Sequence, residues 1–283
     1  MNNATCLDAT ALETCVSAAV AATAIHGTQP WRVRLDPETV TFQVRATPGP
    51  ETTDLNLHLS AGACVLNLRV AMTHFGWQPV VRLLPDPEED PDLLATVRPT
   101  EPFPGTARGA AEESDLYEAV WRRHSTRLPL SEVPLPAGLR AGLAEAARTE
   151  GARLDFPGPD ESVRLLRLVS QAGHRDRVLA EGPRRARTEA DRSTTGPLAL
   201  LTTERDRPGD WLRAGQALEH VLLRATAHGL RTGLLYRATE WPDLRGSLPA
   251  GSGHAHMLLR IGYGVEGPGR PVGTVREPAP ERA

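Results

Sequence analysis

The sequence predicts an α+β fold in which a mixed sheet is flanked by helices in each of two related halves. Apolar residues recur at helical spacing in several long segments, and alternating apolar residues mark strands between them. A weak internal repeat predicts the halves: Ala61-Gly62 matches Ala214-Gly215, 153 positions later (214 − 61), and Gly76 matches Gly229 at the same offset. Glycines that end two long helices in the same way indicate a repeated C-cap geometry.

Composition and charge limit the classes of function. The chain has 283 residues, of which 40% are apolar, so it can form one large domain or two small ones. A net charge of −3 and a pI of about 6.3 argue against a general nucleic-acid or membrane-surface protein. Three scattered cysteines lack metal-binding spacing, so we expect no disulfide framework, no structural zinc and a cytoplasmic location. The apolar run at 16–25 is too short to span a bilayer.

The first half is predicted to alternate helices with a hairpin and to end in a polar connection. Apolar residues alternate on both sides of Asp36-Pro37-Glu38, which predicts a β-hairpin. The apolar segment from Asn56 to Phe75 predicts a long buried helix, which Gly76 ends. The predicted elements are a helix over 10–24, the hairpin over 33–44, the long helix, a strand over 80–84 and a proline- and acid-rich connection over 85–109.

The second half is predicted to open with a helix that carries the basic segment Arg123–Arg127, and Pro129 and Pro134 then stop it. The polar, arginine-rich segment Gly173–Gly196 predicts a mobile loop or a weak surface helix. The other predicted elements are helices over 136–149, 160–171 and 210–228, strands over 152–156, 198–203 and 257–261, an extended piece over 233–236, and a surface tail from 262.

The segment Arg123-His124-Ser125-Thr126-Arg127 is the main candidate for anion binding. Two guanidinium groups, an imidazole and the Ser125 hydroxyl lie within five residues, and each guanidinium offers a planar fork that matches phosphate oxygens. Taken alone, the segment is better explained as a solvated helix end, because the helix dipole favours basic residues there. A second segment, about a hundred residues upstream, favours the binding role.

Other candidate sites are weaker. His254 and His256 would point to one face of a strand, as two metal ligands can, but no third ligand lies at matching spacing. Packing or surface roles therefore explain the histidines better. The sequence also contains no G-x-S-x-G, Walker or G-x-G-x-x-G pattern.

Two segments together resemble the flavin-binding motifs of nitroreductases. Arg123–Arg127 resembles their R-x-S-x-R/K motif, and Ala24-Ile25-His26-Gly27-Thr28-Gln29-Pro30-Trp31 resembles their P-S-x-x-N-x-Q-P-W motif. In that family flavin mononucleotide (FMN) lies at a dimer interface, and the R-x-S-x-R motif usually comes first. The reversed order here is similar to the duplicated, Acg-like branch, in which one chain mimics the dimer. Similarity over 210–218, 229–230, 260–264 and 270–271 extends the resemblance over nearly the whole chain.

The resemblance implies an FMN site closed by both halves, 1–105 and 106–283. A partly buried phosphate dianion needs at least two charge-assisted partners, and the flavin ring needs an apolar wall with a nearby donor. The implied cofactor-binding residues are Arg123, His124, Ser125, Arg127 and Arg270 at the phosphate, Gly27, Thr28 and Gln29 beside the ring and ribityl chain, and Leu234 and Leu235 along the ring. No catalytic side chain is implied, because the flavin carries the chemistry.

Two departures from the family pattern bear on function. Gly27 stands where asparagine is usual, so a backbone N–H would have to replace a side-chain hydrogen bond. The segment Gly173–Gly196 is shorter and richer in arginine than expected for the branch, in which it helps to cover the flavin. A shorter cover would favour an enzyme over a closed flavin store.

The resemblance therefore implies an FMN-dependent oxidoreductase that transfers hydride to or from a small organic substrate. NAD(P)H is one candidate for the electron donor, but no nicotinamide site is visible in the sequence. Two alternatives stay open: a protein that stores FMN without turnover, and a related fold that has lost the flavin. The expected partners are small molecules, not nucleic acid or membrane, and the chain would act as a monomeric pseudo-dimer or a weak homodimer.

Overall fold

The computed structural model describes residues 9–23, 25, 29–50, 52–100, 110–126, 128–168, 197–235 and 253–264, with the backbone alone at 110–115. Residues 159–168 are helical in addition to the named elements. The named helices are α1 (Ala9–Val20), α2 (Asp54–His74), α3 (Ala110–Arg122), α4 (Ala137–Thr149) and α5 (Pro208–Ala227). The strands are β1 (Trp31–Asp36), β2 (Thr41–Ala46), β3 (Gln78–Leu83), β4 (Leu93–Thr100), β5 (Arg153–Asp155), β6 (Leu198–Thr203), β7 (Arg231–Leu234) and β8 (His254–Gly262).

Local side-chain hydrogen bonds stabilise the β1–β2 hairpin and the start of α2, as the sequence predicts. In the β1–β2 turn the Asp36 carboxylate accepts the Glu38 N–H at 3.0 Å and the Thr39 hydroxyl at 2.8 Å. Such side-chain bonds stabilise turns that open on aspartate. Helix α2 begins after the N-cap Thr53, whose hydroxyl accepts the Asn56 N–H. The predicted hairpin and long helix are both confirmed.

The two sheets have the same strand order and the same register. One runs β1-β2-β4-β3 and the other β5-β6-β8-β7, and a long helix joins the second strand of each to the third along the chain. Gln78 pairs with Thr100 in the first sheet as Arg231 pairs with Gly262 in the second. A β-bulge at residues 44–45 corresponds to another at residues 201–202. The two sheets therefore share their topology down to the position of the bulge.

The long helices α2 and α5 cross at a pair of glycines. A methyl group built on Gly62 would lie 2.1 Å from the carbonyl oxygen of Leu212, and one built on Gly215 would lie 2.1 Å from that of Leu59. The contact is reciprocal, and only glycine lets the two backbones approach this closely. The two long helices are therefore in close contact at these glycines.

Both long helices also end in the same way. Gly76 and Gly229 have φ angles of 81° and 71°, which favour glycine. The N–H of each donates at 2.9 Å to a carbonyl three residues earlier, that of Thr73 and that of Thr226. The repeated C-cap geometry predicted from the sequence is confirmed at both ends.

An apolar core lies beside each sheet. Each core includes residues from the part of the chain that carries the other sheet. The core around β6, β8 and α5 includes Ile25, Leu55 and Leu59. The core around β2, β4 and α2 includes the α3 residues Leu116, Ala119 and Val120, as well as Leu212 and Leu223. Segments 9–100 and 110–264 are therefore held together by shared burial of apolar side chains, the main favourable contribution to folding.

Two sequence predictions about the sheets were wrong. The expected mixed sheet is absent from the described residues, because every pair of named strands is antiparallel. In each sheet the strand that follows the long helix takes an edge position and pairs antiparallel with the last strand. The connection predicted over 85–109 contains β4, which lies between β2 and β3 in the first sheet. The apolar run of β4, Leu93–Val97, is short. The proline- and acid-rich stretches on both sides of it favoured a connection over a strand. No described helix is both long enough and apolar enough to cross a membrane.

Candidate functional site

The basic segment lies beyond its helix rather than on it. Helix α3 ends at Arg122, and the chain then runs along the edge of β7. Ser125 forms an isolated parallel bridge with Thr232, and the Thr126 N–H donates to the Thr232 carbonyl at 2.7 Å. The prediction that the helix carries the segment was therefore wrong. The edge of β7, which no other named strand occupies, offers backbone partners that hold the segment in an extended conformation.

A glycine on β7 permits this docking. A methyl group built on Gly233 would lie 2.8 Å from the Thr126 carbonyl oxygen and 2.9 Å from a terminal nitrogen of Arg260. In the first sheet Val80 occupies the corresponding place, since it pairs with Arg98 as Gly233 pairs with Arg260. Valine is tolerated there with 40% of its surface exposed. Gly233 is thus specific to the sheet that receives the basic segment.

The buried guanidinium of Arg260 on β8 lies close to the backbone of the basic segment. Arg260 is 1% exposed and lies 3.4 Å from the carbonyl oxygens of both Thr126 and Leu128. Burial lowers the pKa of Arg260 from its ordinary value. The backbone of the basic segment therefore has partners on both sides, an acceptor from β7 (the Thr232 carbonyl) and a donor from β8 (the Arg260 guanidinium).

Arg123 points into the protein. Its Nε lies 3.4 Å from Oε1 of Glu219 on α5, and the two side chains are 13% and 0% exposed. Burial raises the pKa of Glu219, and the charge of Arg123 together with Thr23 and Asn67 opposes that rise. A charged group this deeply buried is costly unless it is paired, so each member of the pair stabilises the other in place.

His124 faces another arginine on the exposed side. Its Nδ1 lies 3.1 Å from the Arg122 carbonyl, and its Nε2 lies 2.6 Å from a terminal nitrogen of Arg231. A carbonyl can only accept, and a guanidinium can only donate. This arrangement therefore assigns the proton of the neutral ring to Nδ1, with Nε2 accepting from Arg231.

The donors gathered here fit an anionic group. Arg123, Ser125 and Thr232 lie on adjacent segments, and Arg231 adds a further positive charge. The Thr232 hydroxyl is buried, and no hydrogen-bond partner is recorded for it among the described residues. A buried hydroxyl without a partner is unusual and costs free energy. Guanidinium and hydroxyl donors of this kind suit the phosphate end of a cofactor such as FMN.

Three anchors hold the loop between α1 and β1. The Thr23 N–H donates to Oε2 of Glu219 and the Ile25 N–H to the Ser60 hydroxyl, both at 3.3 Å. The amide nitrogen of Gln29 donates to the Val20 carbonyl at 2.6 Å and so caps α1. This loop therefore touches both long helices, through Ser60 on α2 and Glu219 on α5.

The chain is similar in sequence to known proteins of Mycobacterium tuberculosis. No protein-family model matches it. A Mycobacterium tuberculosis protein, "Putative NAD(P)H nitroreductase Rv3131", is 30% identical over 304 residues, covering 90% of this chain and 86% of the relative. The chain belongs to the nitroreductase family. A second relative from the same organism, "Putative NAD(P)H nitroreductase acg", is 27% identical over 319 residues, covering 95% of this chain and 94% of the relative.

Solved structures of nitroreductases are similar to a smaller part of the chain. One with bound FMN from Bacteroides fragilis is 16% identical, with a TM-score of 0.40, over 59% of this chain and 95% of that chain. The FMN and NADPH-dependent nitroreductase NfnB from sphigopyxis sp. strain HMH is 20% identical, with a TM-score of 0.38, over 57% of this chain and 95% of that chain.

The predicted site residues of this nitroreductase family member fall into two groups. Leu234 is the last residue of β7, the strand on which Ser125 docks, and Leu235 follows it. Both pack against the apolar core around β6, β8 and α5. Together with Arg123, His124 and Ser125 they occupy one edge of the second sheet. The other predicted residues, apart from Gln29, lie outside the described part of the chain: Gly27, Thr28, Arg127 and Arg270.

Sequence reasoning missed several members of the site. Glu219 is a single acid on the buried stripe of α5, and Arg260 is a single charge within the apolar run of β8. A lone charge on an apolar face is the signal that could have found both, because charged groups are almost never buried unless paired. Thr232 carries no such signal, since threonine is ordinary in a strand.

A separate cavity of about 250 Å³ lies between α4 and the start of β6. It is lined mainly by apolar and proline side chains, among them Leu135, Phe156 and Leu198, and contains none of the predicted site residues. His254 and His256 do not form part of any three-residue metal cluster within the described segments. Instead His256 is fully buried, with its Nε2 2.5 Å from the Thr203 hydroxyl.

Proposed function

We propose that this nitroreductase family member is an FMN-dependent oxidoreductase, with NAD(P)H as electron donor and a small organic molecule as the second substrate. Bound FMN would supply hydride acceptance and donation, which protein side chains cannot provide. The proposal is supported by family membership and by the names of the relatives from M. tuberculosis. The observation that carries it is the docking of Arg123–Thr126 on the edge of β7, beside the Thr232 hydroxyl, which has no hydrogen-bond partner among the described residues.

In this proposal the edge of β7 orients the cofactor from end to end. Arg123, Ser125 and Thr232 bind the phosphate, and Arg127 and Arg270 add positive charge from segments beyond the described residues. Two residues further along the strand, Leu234 and then Leu235 offer apolar surface for the ring. Gly27, Thr28 and Gln29 approach from the α1–β1 loop, which Glu219 and Ser60 hold in place. Fixed donors and an apolar wall are what such a cofactor requires.

We also propose that the chain acts as a pseudo-dimer of halves 1–105 and 106–283, with one flavin site. Supporting this are the equal strand orders and the reciprocal contact of Gly62 and Gly215. The α1–β1 connection has ten residues, from 21 to 30, whereas the corresponding α4–β5 connection has three, from 150 to 152. The shorter connection has no room for a second Gly-Thr-Gln loop, so the pseudo-symmetric position would lack one wall of a site.

Absorption spectroscopy tests the proposal. Purified protein, or protein mixed with FMN and then desalted, is expected to show a flavin band. That band should bleach with NADH or NADPH under anaerobic conditions and return on addition of a quinone or nitroaromatic compound. A protein that retains no FMN would exclude the proposed function, whereas a band that NAD(P)H never bleaches would favour flavin storage. Arg123→Ala combined with Arg127→Ala is expected to lose the flavin, because two charge-assisted partners are removed.

A further inference from the structure

Glu219 joins the two segments that carry the flavin motifs. Its Oε1 lies 3.4 Å from Nε of Arg123, the first residue of the basic motif. Its Oε2 accepts the N–H of Thr23 at 3.3 Å, where the loop toward Gly27–Gln29 begins. These two segments are a hundred residues apart in the chain, and both contact one fully buried carboxylate.

Helix packing alone does not require an acid at this position. The residue of α2 that corresponds to Glu219 is Leu66, at the same offset that relates Gly62 to Gly215. Leu66 is 3% exposed and lies within the apolar core around β2, β4 and α2. An aliphatic side chain therefore satisfies the equivalent helix position. Replacing buried ion pairs by apolar residues is often neutral or stabilising, so the Glu219–Arg123 pair calls for an explanation other than stability.

The geometry of the pair suits orientation of the guanidinium. Oε1 of Glu219 lies at ion-pair distance from Nε of Arg123, although the two atoms do not form a hydrogen bond. The carboxylate is thus on the Nε side of the guanidinium, and the two terminal nitrogens, which carry four of the five N–H donors, are left for other partners. Within the described residues, Glu219 is the one carboxylate at ion-pair distance from Arg123. A guanidinium with a carboxylate on its Nε side is already partly oriented, so it loses less rotamer entropy when it binds an oxyanion.

We propose that Glu219 is a positioning residue of the flavin site, which orients Arg123 toward the FMN phosphate and fixes the start of the loop that lines the ring. This inference rests on the proposed function, because it assumes that Arg123 meets a phosphate. Glu219 itself does not contact the cofactor. It acts through Arg123 on the phosphate side and through the Thr23 backbone on the ring side.

Comparison of FMN with riboflavin, which lacks the phosphate, tests this role. Full-length apoprotein is titrated with each flavin, and the quenching of flavin fluorescence gives the two Kd values. Glu219→Gln keeps an oxygen for the Thr23 N–H but removes the charge that faces Arg123. We expect the Kd for FMN to rise about tenfold or more, as for the loss of a charge-assisted contact, and the Kd for riboflavin to change much less. Glu219→Leu, which copies Leu66, should weaken both flavins.

Two further variants separate positioning from stability. Glu219→Asp keeps the charge but shortens the side chain, so it should lose part of the preference for FMN and less than Glu219→Gln does. Glu150→Gln is the matched control, because Glu150 is another buried carboxylate, paired with Arg69 and His220 and in contact with no described residue of the predicted site. It should lower thermal stability while the ratio of the two Kd values stays that of the wild type.

The outcomes are distinguishable. If wild-type protein binds FMN and Glu219→Gln lowers the melting temperature without changing the ratio of Kd values, Glu219 is a structural residue only. If Glu219→Gln does not fold, a wild-type ratio in Glu219→Asp leads to the same conclusion. Failure of the wild type to bind FMN would overturn the proposed function, and the positioning role would fall with it.

Discussion

Gly62 and Gly215 face each other across the crossing of α2 and α5, with their Cα atoms so close that a Cβ on either would lie 2.9–3.0 Å from the other residue's Cα. The same Cβ atoms would lie 2.1 Å from backbone carbonyls of Leu212 and Leu59. Backbone atoms in the middle of two helices cannot move aside cheaply. The crossing therefore depends on the absence of two side chains, and both cores meet at it.

Replacement of Gly215 by alanine is expected to lower the free energy of unfolding by about 1–3 kcal/mol or more, because the added methyl group forces the helices apart. Urea denaturation followed by circular dichroism measures the change. Gly142→Ala is the control: Gly142 lies within α4, and no atom lies within 4 Å of a built Cβ. There alanine should stabilise by roughly 0.5–1 kcal/mol through its helix propensity. Equal effects at the two sites would contradict the close crossing.

How far the sequence predicted this molecule depends on how local each signal is. The helix ends at Gly76 and Gly229 and the hairpin at Asp36 were predictable because a few adjacent residues determine them. Strand β4 was missed because its place between β2 and β3 depends on residues far apart in the chain. Periodicity finds an amphipathic surface, but it does not identify the strand that pairs on both sides.

The site shows the same division. The basic segment was found because its residues are adjacent, and its pairing with the α1–β1 loop came from a family resemblance. Glu219 and Arg260 lie 96 and 137 residues beyond Arg123 (219 − 123 and 260 − 123), so only the folded chain brings them together. Sequence reasoning predicted which groups could bind an anion, but it missed the residues that hold those groups in place.

Thr232→Val removes the buried hydroxyl beside Ser125 and keeps the shape of the side chain. Because no partner is recorded for this hydroxyl within the described residues, the apoprotein should lose no stability and could gain a little. If the hydroxyl donates to FMN, the Kd should rise roughly three- to tenfold, the usual value of one hydrogen bond. Differential scanning calorimetry of apoprotein and a flavin titration measure the two effects.

Thr203→Val provides the contrast for that measurement. The Thr203 hydroxyl lies 2.6 Å from the Arg205 carbonyl and 2.5 Å from Nε2 of His256. Its removal leaves buried partners unsatisfied, so stability should fall by about 1–3 kcal/mol while flavin affinity is kept. A loss of apoprotein stability in Thr232→Val similar to that in Thr203→Val would mean that the Thr232 hydroxyl already has a partner.

Glu150 should make the stability of the fold dependent on pH. Burial raises its pKa, but the hydrogen bond with His220 and the charge and hydrogen bond of Arg69 outweigh burial, so the pKa lies below its ordinary value of 4.5. A carboxyl group with a lowered folded-state pKa stabilises the protein above its unfolded-state value. That contribution is lost as the pH falls through the folded-state pKa.

Glu150→Gln should therefore be less stable than the wild type at pH 7, by about 1–3 kcal/mol, and the difference should shrink as the pH falls below 4.5. Urea midpoints at a series of pH values measure it. Glu145→Gln is the control, because Glu145 pairs with Arg148 on the same exposed face of α4. Its midpoint should stay near that of the wild type throughout. A Glu150→Gln difference that is constant with pH would contradict the pairing.

Gly233→Ala is expected to displace the basic segment without unfolding the sheet. The new methyl group would lie 2.8 Å from the Thr126 carbonyl, a backbone atom, so Arg123–Thr126 must shift away from β7. Since the segment holds Arg123 and Ser125 beside Thr232, FMN affinity should fall by at least about tenfold, the value of one charge-assisted contact.

The two equivalent sheets supply an internal control for that variant. Val80→Ala changes the corresponding position of β3, where none of the described segments docks, and it should affect neither flavin affinity nor the fold beyond a small loss of buried surface. Flavin titration and thermal melts of both variants give the comparison. If Gly233→Ala binds FMN as the wild type does, the docked segment is not the phosphate site. If flavin affinity falls in Gly233→Ala but not in Val80→Ala, flavin binding depends on the basic segment that docks on β7.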